Sequence, residues 1–144
     1  MKKFVVPMAG AAALALGAYL LLKPEPTPVA TSAAPEQGAP LVAVTLPETL
    51  STDAQIGKRA FDSVCAACHG ENAAGKAGFG PPLVHKIYEP SHHGDMAFLI
   101  AVERGVQAHH WRFGNMPAQQ GVTQGDVTAM VTYVRELQRA NGIN

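Results

Sequence analysis

The stretch Cys65-Ala66-Ala67-Cys68-His69 decides how this chain is read. Two thiols three residues apart, followed at once by an imidazole, make the C-x-x-C-H pattern of covalent haem attachment. At the end of a helix each thiol can reach one vinyl group of the same porphyrin, and the next residue's ring then points at the iron. Other uses of a cysteine pair fit less well. A redox Cys-x-x-Cys normally stands beside a strand–helix unit, and none is predicted here. A zinc site would want a second pair, and the chain has only 2 cysteines. The same count excludes a small domain stapled by several disulfides.

Outward from the motif, the pattern is helical. Thr52-Asp53-Ala54-Gln55 reads as a capping box, and Ile56, Ala60, Phe61 and Val64 then share one face of a helix running toward Cys65. After His69 the chain is loop-like to residue 90, broken by Gly70, Gly75, Gly78, Gly80, Pro81, Pro82 and Pro90. A second helix is predicted from Asp95 to Arg104, with Phe98, Leu99 and Val102 inward and Gly105 as its C-cap. A second loop covers Val106 to Gly121. Thr123-Gln124-Gly125-Asp126 opens the last helix, with Val127, Met130, Val131, Val134 and Leu137 inward, and Asn141-Gly142 closes it. No segment alternates as a strand would, so the fold class is all-α. Three short helices with 6% aromatic residues in the whole chain make a thin core that requires a large apolar guest.

From these residues on, the chain resembles the class I c-type cytochromes over residues 51–144. The resemblance implies three or more short helices wrapped around one covalently bound haem c. Gly57, Phe61 and Cys65, spaced four apart, look like that family's N-terminal helix, where the glycine permits close crossing of the C-terminal helix; Met130 and Tyr133 stand at the crossing partners' positions. Gly80-Pro81-Pro82-Leu83 resembles the family's Gly-Pro-x-Leu segment, which implies that Pro81 and Leu83 belong to the cofactor's surroundings. By the same resemblance the Pro81 carbonyl accepts the Nδ1 proton of His69, orienting the ring and making Nε2 a better donor to iron.

A six-coordinate iron needs a second axial ligand, Met or His. Met116, in Gly114-Asn115-Met116-Pro117, matches the family's distal methionine followed by proline; the metal ligands implied are therefore His69 and Met116. Met1 and Met8 belong to the leader, and Met96 and Met130 read as packing residues in helices. His85, His92, His93, His109 and His110 are competitors for the iron whose plain reading is solvated loop histidine. The pairs His92-His93 and His109-His110 also raise a transition metal such as copper, which no spacing on a common helix supports. Trp111, Arg112 and Tyr88 are candidates for the haem propionates, with ordinary packing or surface roles as the alternative. An iron with both axial positions filled has no site for oxygen chemistry, so the resemblance implies outer-sphere electron transfer at high potential, with no catalytic residues and no small-molecule substrate.

The remainder of the chain speaks to location. Met1-Lys2-Lys3 precedes an uncharged run from Phe4 to Leu22, which as a helix of about 1.5 Å per residue reaches roughly 28 Å, close to a bilayer's hydrocarbon thickness. Residues 1–23 are a signal-anchor or a cleaved signal peptide; Leu22-Lys23-Pro24 is a poor cleavage context, and small residues lie only near 30–34. Both readings deliver the domain to the periplasmic side of a bacterial inner membrane. Residues 24–50, with prolines at 24, 26, 28, 35, 40 and 47, are expected to be a Pro/Ala-rich tether, and the domain to begin near Ser51. Lys plus Arg and Asp plus Glu are 11 each, which leaves no basic excess for nucleic acid. No charged docking ring is evident, and an apolar patch of Ala66, Ala67, Phe79 and Phe113 is the weaker alternative. The expected partners are an electron donor and acceptor, membrane-bound or periplasmic. Two further readings stand beside the shuttle: a haem subunit permanently docked in an oxidoreductase, and a haem sensor or enzyme whose Met116 dissociates.

Overall fold

The computed structural model describes residues 34–144. The expected apolar segment 1–23, with its anchoring or cleavage, and linker residues 24–33 lie outside the described residues. Among the described residues four α-helices run in the order α1 (Thr52–Val64), α2 (Ala66–His69), α3 (Asp95–Arg104) and α4 (Gln124–Ala140), with short 3-10 turns at Glu71–Ala73 and Lys86–Tyr88. Among the described residues no strand forms; only two isolated antiparallel bridges occur, Lys76 with Gly80 and Val106 with Met116. Nor is any described helix long and apolar enough to cross a membrane.

The start of α1 differs from the expected capping box by one residue. Ser51 is the N-cap, its hydroxyl oxygen accepting from the Ala54 N–H at 3.2 Å, while the Gln55 side chain donates to the Leu50 carbonyl instead of reaching back to a cap. The tertiary partner explains the choice: Ser51 donates from both N–H and hydroxyl to the Glu136 carboxylate on α4. The buried face also differs. Ala54, Gly57 and Phe61 are buried, whereas Ile56 is 43% exposed. Close helix crossing selects the glycine-bearing face over the bulkier one. A methyl carbon at Gly57 would lie 1.9 Å from the Ala129 carbonyl oxygen on α4, so only hydrogen fits there. One turn on, the Phe61 and Tyr133 rings meet edge to face at 5.7 Å.

Helix α4 behaves as its sequence predicts. Thr123 and Asp126 form a reciprocal capping box, and Val127, Met130, Val131, Val134 and Leu137 are all buried. The sequence reading missed two polar residues buried beside them. Arg135 donates to Asp95 Oδ1, to the Tyr88 and His93 carbonyls and to Gln138 Oε1. Gln138 in turn donates to the Leu83 and Tyr88 carbonyls at 2.8 and 3.0 Å. Their side chains tie α4 to the loop before α3, satisfying main-chain oxygens that the irregular segment cannot satisfy itself. Helix α3 ends at Gly105, as expected. Yet none of its residues is fully buried: Phe98 and Leu99 are half-buried, and Met96 and Ile100 are 61% and 43% exposed.

The described part of the expected tether packs on the domain. The compact unit begins at Ala34, not near Ser51. Leu41 and Val42 N–H both donate to the Ala74 carbonyl, Gly38 N–H donates to Ala77, and Ala77 N–H returns a bond to Ala39. Thr45 exchanges two bonds with the Asn141 side chain, and Val44 and Leu50 pack against the core. Prolines remove donors and periodicity, but the residues between them keep N–H groups, and loop 73–77 offers carbonyls to meet them.

Candidate haem-attachment site

Helix α1 delivers the motif. The Cys65 N–H closes its last turn on the Phe61 carbonyl, and α2 continues at once through His69, with Gly70 ending the turn at φ 72°. Both cysteines are free thiols, Cys65 half-buried and Cys68 exposed. Cys65 Sγ lies 3.6 Å from Met130 Sδ, which fixes it over α4. Burial, reinforced by the charge of Cys68, pushes the Cys65 thiol up to about 11. That disfavours the thiolate a dithiol redox pair would use as its nucleophile.

His69 Nδ1 lies 2.9 Å from the Pro81 carbonyl oxygen. A carbonyl only accepts, so Nδ1 carries the proton and Nε2 keeps its lone pair. Burial lowers the His69 pKa from its ordinary 6.5, against the weaker upward pull of the Pro81 hydrogen bond, and so keeps the ring in the neutral form that ligates metal. The loop that brings Pro81 here folds back tightly. A methyl carbon at Gly80 would lie 2.7 Å from the Cys68 carbonyl oxygen, so a larger residue would push the whole Gly80–Leu83 segment off the motif. Beneath it, Asn72 and Ala73 adopt left-handed backbone angles, and the Ala73 carbonyl accepts from Leu83 and Val84 N–H. Leu83 is buried within the core cluster. Asn72, which no motif singled out, accepts from the Tyr133 hydroxyl at 3.2 Å. Burial, with the Asp62 charge adding, raises that phenol to about 12.

Met116 stands in the loop between α3 and α4. Its N–H and carbonyl both pair with Val106 at 2.9 Å, and Asn115 Oδ1 accepts from the Ala108 N–H across the same loop. The side chain is half-buried. The other described methionines differ: Met96 is 61% exposed and Met130 is buried beneath Cys65. Of the histidines, His85 caps the 3-10 turn through Nδ1, accepting from the Ile87 N–H, and its ring meets Trp111 edge to face at 5.1 Å. The structure gathers His92, His93, His109 and His110 into one cluster that sequence spacing did not indicate. The Trp111 Nε1–H is buried with no acceptor at hydrogen-bond geometry, although the Tyr88 phenol is near enough to feel it: burial raises that phenol and the indole draws it back. Arg112 is exposed.

These residues fit a covalently held haem. Two free thiols and a neutral imidazole with one nitrogen anchored supply the attachment and one axial donor. The half-buried apolar side chains of α3 offer a face for a flat apolar group, and the Trp111 indole offers a buried donor for an acidic substituent.

Known proteins give the same picture. Residues 54–138 match the cytochrome c family profile. The chain is similar to the Cbb3-type cytochrome c oxidase subunit FixP of Bradyrhizobium sp. (strain ORS 278), at 37% identity over 94 residues, covering 64% of this chain and 30% of that protein. It is also similar to the Cbb3-type cytochrome c oxidase subunit CcoP of Azospirillum brasilense, at 36% identity over 96 residues, covering 60% of this chain and 30% of that one. The match thus takes in less than a third of either relative.

Proposed function

The chain belongs to the cytochrome c family, and from that membership we propose that it carries single electrons through one haem c whose iron is ligated by His69 and Met116. The haem supplies a one-electron ferric–ferrous couple when bound. Cys65 and Cys68 hold it covalently, so it cannot dissociate. Pro81 fixes the His69 ring through Nδ1 and leaves Nε2 for the iron. Met116 offers a soft thioether, which favours the ferrous state and raises the potential. Leu83 and the apolar residues of α3 would keep water from the haem, and the buried Trp111 Nε1–H would be free to donate to a propionate. With His69 and Met116 both given to the iron, no place would be left there for a substrate, and the protein would act as a carrier and not as an enzyme in its own right. The observation that supports this reading best is the 2.9 Å contact from His69 Nδ1 to the Pro81 carbonyl, because it pre-orients a neutral imidazole next to two free thiols.

The carrier works on the periplasmic side of the bacterial inner membrane, held there by residues 1–23 or released after their cleavage. It exchanges electrons with a membrane-bound or periplasmic donor and acceptor. A second reading has a specific support: both relatives above are oxidase subunits by name. In that reading the domain is a haem subunit docked permanently in an oxidoreductase. Purification from the native membrane separates the two, since co-elution with a catalytic chain overturns the shuttle and a lone haem protein overturns the docked subunit.

Spectra of the oxidised and reduced protein, with Met116→Ala beside wild type, test the ligation. We expect the thioether–iron charge-transfer band to vanish in the variant, and its ferrous form to bind carbon monoxide while the wild type does not bind it. A band that survives the substitution overturns the assignment of Met116.

A further inference from the structure

The cluster of histidines beyond the haem motif has a chemistry of its own. His92 and His93 end the turn that leads into α3, and His109 and His110 lie in the loop that leads to Met116. The two segments are separate in sequence, yet ligand nitrogens of His92, His93 and His110 all lie within 4.8 Å of one another. We propose that His92, His93 and His110, with His109 beside them, form a binding site for one divalent, imidazole-seeking metal ion of the zinc type, distinct from the haem iron.

The distances suit such an ion. With metal–nitrogen bonds of about 2.0–2.1 Å, two corners of a tetrahedron are roughly 3.3 Å apart. His92 Nε2 and His110 Nε2 face each other at 3.3 Å. The remaining rings are oriented by main-chain carbonyls, the arrangement common to metal-bound histidine. His93 Nδ1 donates to the Ile87 carbonyl at 2.7 Å and His109 Nδ1 to the Gln107 carbonyl at 2.8 Å, so each keeps an Nε2 lone pair for a ligand. The His109 and His110 rings are 4.3 Å apart between centroids, and the His93 and His110 rings 5.3 Å. The His93 main chain is held in turn, because its carbonyl accepts from the buried Arg135. His92 and His110 are exposed and His93 half-buried, which leaves a path for the ion from solvent. Imidazole donors with no carboxylate or thiolate among them suit zinc, copper or nickel and reject calcium and magnesium. A bound ion would join the turn before α3 to the loop of Met116.

The test uses the full-length, haem-loaded protein without an affinity tag, stripped by a chelator and dialysed against Zn(II), with metal analysis of the retained fraction. We expect one zinc per chain, and at least a 100-fold weaker affinity in the double variant His92→Asn/His110→Asn. The single variant His92→Gln removes one proposed ligand from an exposed position and should weaken binding at least about tenfold, no less than the loss of an outer-shell partner does. Cu(II) added to the fully oxidised protein serves as a spectroscopic probe, and its electron paramagnetic resonance should carry hyperfine structure from several nitrogens that the double variant lacks. Less than half an equivalent of zinc on the wild type overturns the site. So does affinity in the variants within threefold of wild type, which would assign the bound zinc to His85 or to residues outside the cluster. Zinc is counted independently of the haem spectrum, so failure here leaves the Met116 test untouched.

Discussion

Where α1 crosses α4, main chain meets main chain, and Phe61, Tyr133, Val134 and Leu137 are each at most 1% exposed. Along α3, seven of ten residues are apolar in Asp95–Arg104, yet none is fully buried. Apolar content therefore does not decide burial; a complementary surface does. The crossing supplies its own complement in the form of Gly57 against Ala129 and an edge-to-face ring pair. The α3 face stays only half-buried, and under the proposed function a haem would complete it, whereas α1 and α4 complete each other.

The sharpest way to break this contrast is to prevent attachment. In a Cys65→Ser/Cys68→Ser chain, amides of α3 and of loop 106–121 should lose at least tenfold more hydrogen-exchange protection than those of α1 and α4, about 1.4 kcal/mol of extra local opening. Equal losses in both regions would show that the crossing depends on the haem as much as α3 does. Next in size is the crossing itself. Gly57→Val puts carbon where the Ala129 carbonyl already is, and should cost about 3 kcal/mol in chemical denaturation of the haem-loaded protein, at the upper end for overpacking. A loss below about 1 kcal/mol would mean that the helices slide apart cheaply and that the contact is not tight.

The smallest effect is expected at the start of α4. Hydrogen bonds from the Thr123 hydroxyl and amide hold the Asp126 carboxyl below its ordinary 3.8. The folded state thus favours the carboxylate, so the cap contributes fully above that ordinary value and its contribution fades as pH falls through the lower folded one. Asp126→Asn should lower the thermal midpoint slightly at neutral pH, and the two curves should converge below the carboxylate range. A constant offset at all pH values would assign the effect to packing instead of to the charged cap.

Much of the candidate site was legible in the sequence. Cys65, Cys68 and His69 are adjacent in sequence, and the resemblance of Gly80-Pro81-Pro82-Leu83 to a known segment pointed to the Pro81 carbonyl that His69 Nδ1 meets. The α4 core face was readable because a helix that buries one stripe repeats it every three to four residues. On α1 hydrophobic spacing alone pointed to Ile56, whereas the family resemblance pointed to Gly57, and the crossing distance selects Gly57. Residues 34–50 read as tether because prolines suppress periodicity, while their bonds go to carbonyls more than thirty residues away. Arg135 and Gln138 look like surface residues in sequence, and their acceptors are main-chain oxygens that carry no sequence signal.

The sequence by itself determined the helical class, the attachment motif, the last helix with its cap, and the family. All of these are short-range patterns, set by what residues three, four or seven apart can do together. Only the tertiary structure decided that Ile56 is left exposed on α1, that residues 34–50 belong to the folded unit, and that four histidines from two loops share one place. Those depend on which distant surfaces meet, and side-chain type constrains that only once the backbone has brought them within a few ångströms.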